Sequence, residues 1–302
     1  MNFTAKVKQE LEQIISSPRH CRIAEFAAIT AFMGKICGSD NHLEIFSENV
    51  LVIKKVEKLI KKIFFVDNIG EIIYDIKRSG KETGKIIFSG QETKDILGLL
   101  KTDGSLQVSQ VLYTMTCCKR AYFRGAFLAI GTLTDPNKDY HLELSCPNMT
   151  IAENLKQLIS SFDVETKIAE RKGRYVIYVK DSEKISEMLG LLGAQNAMME
   201  LENVRIYKDV MNKVNRQVNC DAANIKKALR ASEKQLEDIR FIREKTGFKG
   251  ISEDLVRTAA LREQYPEATL SELVMYNGGT VGKSGINHRL KKLSEIAEKL
   301  RS

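Results

Sequence analysis

Apolar residues recur along this chain at two spacings, and the order of the two predicts its elements. Phe3, Val7, Leu11 and Ile14 fall on one helical stripe, predicting an N-terminal helix within residues 1–19. A helix rich in small residues follows, AEFAAITAFMGKI (24–36), and then a strand-like run from His42 to Ser47. Next come an amphipathic helix, VLVIKKVEKLIKKIF (50–64), two strand-like runs, EIIYDIK (71–77) and GKIIFSG (84–90), and a helix ending Ile96-Leu97-Gly98-Leu99-Leu100.

The same order then repeats. RGAFLAIGTL (124–133) answers the first small-residue helix, and His141-Leu142-Glu143-Leu144-Ser145-Cys146 answers His42-Leu43-Glu44-Ile45-Phe46-Ser47. MTIAENLKQLISSF (149–162), ETKIAER (165–171), RYVIYVK (174–180) and Met188-Leu189-Gly190-Leu191-Leu192 complete the second copy. Gly34 and Gly131 are 97 residues apart, His42 and His141 are 99 apart, and Gly98 and Gly190 are 92 apart. Spacings that agree this well predict a duplication, and hence a pseudo-two-fold α+β domain over residues 20–200.

Residues 201–220 predict a bridging helix rich in Arg, Lys and Asn, in which Arg205, Lys208, Lys213 and Arg216 are candidate secondary phosphate contacts. Beyond it the spacing is helical only, at positions such as Ile225, Leu229, Leu236 and Ile239, so residues 221–302 predict an all-α domain.

Within that tail, TLSELVMYNGGTVGKSGINHRLKKL (269–293) predicts a helix-turn-helix over about 269–294. Thr269 and Glu272 have the spacing of a capping box. Asn277-Gly278-Gly279 tolerate the positive φ of a tight turn. On the second helix Ile286, Leu290, Leu293 and Ala297 form an apolar stripe. Ser284, Asn287, His288 and Lys291 lie on a different face, as base-reading groups would. Lys283, Arg289 and Lys292 flank that face as candidate phosphate contacts. A solvated basic face on an ordinary C-terminal helix is the competing reading.

Composition narrows the function classes. The net charge is +8 over 302 residues, which fits a polyanionic partner without requiring one. With only four prolines and no Pro/Gly/Ser-rich tract, long disordered linkers are not expected. The charged start is not a signal peptide, and no run of about 18 apolar residues occurs. A cytoplasmic, nucleoid-associated protein without membrane contact is therefore expected. None of Cys21, Cys37, Cys117, Cys118, Cys146 and Cys220 forms a C-x-x-C pair, and the histidines do not cluster with them in sequence. Neither a zinc site nor any other cofactor is expected. The adjacent Cys117 and Cys118 are either redox-active or simply small, soft residues at a helix start.

The paired Ala/Gly helices resemble those of the LAGLIDADG homing endonucleases, in which an acidic residue precedes the helix-ending glycine and holds Mg²⁺. Here Met33 precedes Gly34 and Ile130 precedes Gly131, and neither can ligate a hard cation. Aligning the first copy on Gly38 instead brings Cys37 to that position. Asp40 and Asp135 read as loop acids beyond the helix ends. The resemblance therefore implies a nuclease-like scaffold without catalytic residues.

Longer strings carry a second resemblance: FTAKVKQEL at the start, CCKRAYFRGAFLAIG (117–131), VRIYKDVMNKVNRQVNCDAAN (204–224) and KSGINHRLKKL (283–293). These resemble the WhiA family of sporulation regulators of Gram-positive bacteria, over essentially the whole chain. The family's plan is a degenerate LAGLIDADG domain joined to a C-terminal helix-turn-helix. The resemblance implies a non-enzymatic, sequence-specific regulator of sporulation or cell-division genes that binds double-stranded DNA. Its alternatives are a nucleoid-associated factor in division or chromosome segregation that acts through protein partners, and an active endonuclease using Asp40 or Asp135.

Overall fold

The computed structural model describes residues 2–38, 41–76, 80, 82–102 and 106–301. Its contacts divide the chain into two units, Met1–Lys208 and Asp209–Ser302.

The first unit opens with α1 (Phe3–Gln13), whose Phe3, Val7 and Leu11 are buried. The sequence sets residues 1–19 apart as an N-terminal helix, but α1 belongs to the core of this unit. The Thr4 hydroxyl and the Leu133 backbone exchange hydrogen bonds of 2.8 Å. Glu10 accepts the backbone N–H groups of Asn196 and Ala197 at 2.8 and 3.1 Å, at the positive end of the helix those residues begin.

Two copies of one pattern follow. The first is α2 (Arg19–Met33), β1 (Gly34–Cys37), β2 (His42–Ser47), α3 (Val50–Phe64), β3 (Glu71–Ile76), β4 (Glu82–Phe88) and α4 (Gln91–Leu100). The second is α5 (Thr116–Ile130), β5 (Gly131–Leu133), β6 (Leu142–Cys146), α6 (Met149–Ser160), β7 (Lys167–Arg171), β8 (Arg174–Val179) and α7 (Ser182–Leu192). Both sheets are antiparallel, in the orders β1-β2-β4-β3 and β5-β6-β8-β7. The match reaches the caps: Asn49 caps α3 through Leu51 N–H and Asn148 caps α6 through Ile151 N–H.

The small-residue helices end earlier than their sequence pattern, at Met33 and Ile130. The next residue, Gly34 or Gly131, turns directly into a strand with extended backbone (φ −71° and −81°). A Cβ on Gly34 would sit 2.5 Å from the Thr30 carbonyl oxygen, and one on Gly131 would sit 2.6 Å from that of Phe127. Glycine is needed at each junction because the chain folds back against its own last helical turn.

Helices α2 and α5 pack on each other more extensively than any other pair of elements. A Cβ on Gly125 would lie 2.3 Å from the Glu25 carbonyl oxygen, so the two backbones nearly touch there. Charge is buried beside this crossing. Glu25 pairs with Lys55 at 2.9 Å and with Arg124 at 3.3 Å, and neither the Glu25 nor the Lys55 side chain reaches solvent. Lys55 also donates to the Leu11 and Ile14 carbonyls, and Arg124 donates to that of Leu192 at 2.7 Å. Burial pushes the Glu25 carboxyl up and the Lys55 amine down, and their mutual attraction opposes both shifts.

Helix α8 runs without a break from Gln195 to Thr246. The separate bridging helix expected at 201–220 is a segment of it. In the second unit, residues 209–231 are exposed, and burial resumes at Ser232. Of the helically spaced apolar positions, Ile225 and Leu229 are 62% and 42% exposed, while Ile239 is fully buried. The last turns of α8 pack with α9 (Glu253–Gln264), α10 (Leu270–Tyr276) and α11 (Lys283–Arg301) around Ile239, Ile242, Leu255, Ala259, Leu273 and the α11 stripe.

Candidate nucleic-acid interface

The α10–α11 connection is fixed by local chemistry at both ends of α10. Thr269 Oγ1 accepts the Glu272 N–H at 3.3 Å, and the Glu272 carboxylate accepts the Thr269 N–H at 2.7 Å, completing the capping box. That backbone N–H, first of all, holds the Glu272 carboxyl below the usual carboxylate range. At the other end Gly278 N–H bonds to Met275 O and Gly279 N–H to Val274 O, each at 3.0 Å, which is the Schellman arrangement. It requires left-handed backbone, and Gly278 and Gly279 supply it with φ of 74° and 70°. Buried Asn277 ties the turn through Thr280, and Tyr276 stacks on Tyr265 at 4.1 Å between ring centroids.

Helix α11 divides into faces as its spacing predicts. Ile286, Leu290, Leu293 and Ala297 are buried against α8, α9 and α10. Ser284, His288 and Lys291 are exposed and Asn287 is half-buried, so the polar face reaches solvent. Lys283 and Lys292 are exposed on its flanks. From Lys283 to Lys292 the helix carries four Lys and Arg residues and no acid, which leaves that stretch strongly positive.

Arg289 differs from its neighbours. Its guanidinium pairs with Asp254 of α9 at 2.8 Å, and its side chain is 20% exposed. It braces α11 against α9, and a phosphate would have to displace Asp254 to reach it. The secondary basic group is divided in the same way. Arg205 pairs with Glu202 at 3.2 Å and Glu183 at 3.4 Å. Lys208 donates to Pro136 O at 2.6 Å and lies 4.7 Å from the Tyr140 ring centroid. Both serve the first unit. Lys213 and Arg216 lie on the exposed stretch of α8.

The ends of α2 and α5, where a LAGLIDADG nuclease has its acids, carry Met33 and Ile130 packed against the apolar core. Asp135 lies in the loop after β5, where Asn137 donates to it through backbone and side chain at 2.9 and 3.0 Å. These bonds hold its carboxyl below the usual range. Asp40 lies outside the described residues.

At the opposite ends of α2 and α5 the structure brings together two dipeptides that are distant in sequence. His20, Cys21, Cys117 and Cys118 have ligand atoms all within 4.8 Å of one another. The signal was available, because His20-Cys21 and Cys117-Cys118 are 97 residues apart, the same spacing as Gly34 and Gly131. The two dipeptides meet because α2 and α5, whose first turns carry them, pack on each other.

A duplicated LAGLIDADG-like α+β unit without acids at its helix ends, joined to a helix-turn-helix unit, defines a recognisable class of two-part protein. Residues 119–211 match the model of the WhiA LAGLIDADG-like domain, and residues 214–297 match that of the WhiA C-terminal HTH domain. The "probable cell division protein WhiA" of Lachnoclostridium phytofermentans is 40% identical, over 100% of both chains. That of Alkaliphilus oremlandii is also 40% identical, over 99% of this chain and 98% of its own. The crystal structure of full-length DUF199/WhiA from Thermatoga maritima shares the fold, with a TM-score of 0.64 at 23% identity and 99% of each chain covered. The chain belongs to the WhiA family.

Proposed function

We propose that this protein is a sequence-specific DNA-binding regulator that reads duplex DNA through α11. The observation that carries this reading is the polar, cationic face of α11, held out from a capped helix-turn-helix whose opposite face is buried. Ser284, Asn287, His288 and Lys291 are the base-reading groups, and Lys283 and Lys292 neutralise phosphates. Arg289 sets the angle of α11 through Asp254. The relatives are named probable cell division proteins, which supports taking cell-division genes as the targets. The first unit acts as a scaffold and not as a nuclease, because Met33 and Ile130 offer Mg²⁺ no side-chain carboxylate.

Genome-wide crosslinking of bound DNA in the wild type and in Asn287→Ala/His288→Ala tests this. The expected result is sharp promoter peaks that vanish in the variant, with each lost base contact worth about 1–3 kcal/mol of discrimination. A second reading, loose nucleoid binding, is favoured by the exposed stretch of α8, where Lys213, Arg216, Lys226, Lys227 and Arg230 line a solvated helix. Broad occupancy that the variant keeps, with similar affinity for unrelated sequences and a steep salt dependence, would select it.

A further inference from the structure

The His/Cys cluster takes no part in the DNA-binding reading, and its residue types are specific in their chemistry. From its geometry we infer that His20, Cys21, Cys117 and Cys118 form a site for one thiolate-loving divalent transition-metal ion, Zn²⁺ being the natural occupant. His20 and Cys21 lie in the first turn of α2, and Cys117 and Cys118 in the first turn of α5. His20 Nδ1 is 3.0 Å from Cys118 Sγ and 3.4 Å from Cys21 Sγ. Ligand atoms around tetrahedral zinc, with bonds of about 2.0–2.3 Å, lie roughly 3.5–3.8 Å apart. Two separations fall just short of that spacing and all lie within 4.8 Å, so side-chain adjustments could enclose an ion.

Three further features favour a metal over an ordinary polar contact. A Cys₃His donor set is soft enough to select zinc over the hard cations that carboxylates hold. Both helices start at the cluster, and their positive ends favour thiolate over thiol. Cys21 and Cys118 are buried while His20 and Cys117 are exposed, so an ion has a solvent-side entry and an interior anchor. Metal uptake would expel the thiol protons to solvent and place two positive charges among three thiolates. The ion would lie on the pseudo-two-fold relation, one dipeptide from each copy, and staple the start of α2 to the start of α5. The adjacent ligands depart from the C-x₂-C spacing of zinc fingers, and the site exists only because the copies pack.

The test uses the full-length protein, stripped of metal under reducing conditions and titrated with Co²⁺ and then Zn²⁺. The expected result is one Co²⁺ per chain, with the visible bands of tetrahedral cobalt and near-ultraviolet thiolate charge transfer, displaced by one Zn²⁺. His20→Asn and Cys117→Ser change exposed side chains and should leave the fold intact. Each should weaken binding at least about tenfold, since even outer-shell changes cost that much. Zn²⁺ should raise the thermal unfolding midpoint of the wild type and not that of the double variant. Cys220→Ser, far along α8, should change nothing. No cobalt spectrum at excess metal would overturn the proposal. So would a spectrum unchanged in His20→Asn/Cys117→Ser, or oxidation of these cysteines to a disulfide in place of metal uptake. No DNA enters the measurement, so its outcome is independent of the regulator reading.

Discussion

The α2–α5 pair and the α10–α11 pair both dock helix on helix, and they treat charge in opposite ways. Between α2 and α5 small residues let the backbones nearly touch, and the charges of Glu25, Lys55 and Arg124 are sealed inside. In the second pair one face is apolar and buried, while the other is left to solvent. The helix has no acid from Lys283 to Lys292, and among the described residues only Arg289 of that stretch is paired, to Asp254 of α9. The contrast separates architecture from chemistry. The first pair needs glycine and alanine at its crossing and glycine at its ends, but no acid in front of those glycines. A LAGLIDADG-like scaffold therefore needs no acid at those two positions to pack. The second pair's packing and its candidate chemistry lie on one helix and are set by one turn.

The largest effect is expected at the sealed charges. Lys55→Met should destabilise the first unit by about 3–5 kcal/mol, because it leaves Glu25 short of a partner in a dry site and orphans two carbonyls. Denaturant unfolding measures this. A loss under about 1 kcal/mol would mean that water reaches the triad and that the contrast is overdrawn.

The close approach at Gly125 comes next. Alanine is the better helix former, by about 1 kcal/mol, yet Gly125→Ala should cost about 1–3 kcal/mol because its Cβ would meet the α2 backbone. Gly98→Ala, in α4 with nothing within 4 Å of the added carbon, should be neutral or stabilising by up to about 1 kcal/mol. Equal effects from the two substitutions would remove close packing as the reason for the glycine-rich helix.

The duplication was legible in the sequence because matched segments recur at nearly constant offsets, whereas β1 and β5 were hidden in the runs read as small-residue helices. The α10 turn was legible because Thr269, Glu272 and the glycines each have one strong local use. The buried triad was not, since Glu25, Lys55 and Arg124 lie far apart and their types usually mean surface. The run of α8 was hidden because its middle carries apolar side chains such as Ile225 that stay largely exposed. Arg289 and Lys292 look alike in sequence, and only the neighbouring α9 makes one a brace.

That difference yields a smaller effect. Arg289→Gln breaks a pair whose acid is 70% exposed, so it should cost no more than about 1 kcal/mol of stability and leave the salt dependence of DNA binding unchanged. Lys292→Gln should leave stability alone and reduce the slope of log affinity against log salt by about one. The reverse assignment would make Arg289 the phosphate contact and Lys292 the bystander.

The smallest effect concerns how the second pair is held at its start. Glu272 has a folded-state pKa below its ordinary value of 4.5, because the ionised carboxylate accepts the Thr269 N–H. A carboxyl depressed by folding contributes its stability above the unfolded value and loses it as pH falls through the folded one. The capping box should therefore be complete at neutral pH and weaken only below pH 4.5, fraying the first turn of α10 before the buried stripe of α11 opens. Following the Glu272 carboxyl carbon by NMR through an acid titration should place its midpoint below 4.5, and Thr269→Ala should move it back toward that value. A midpoint at or above 4.5 in the wild type would show that the cap does not favour the charged carboxylate, and that packing alone sets the helix start.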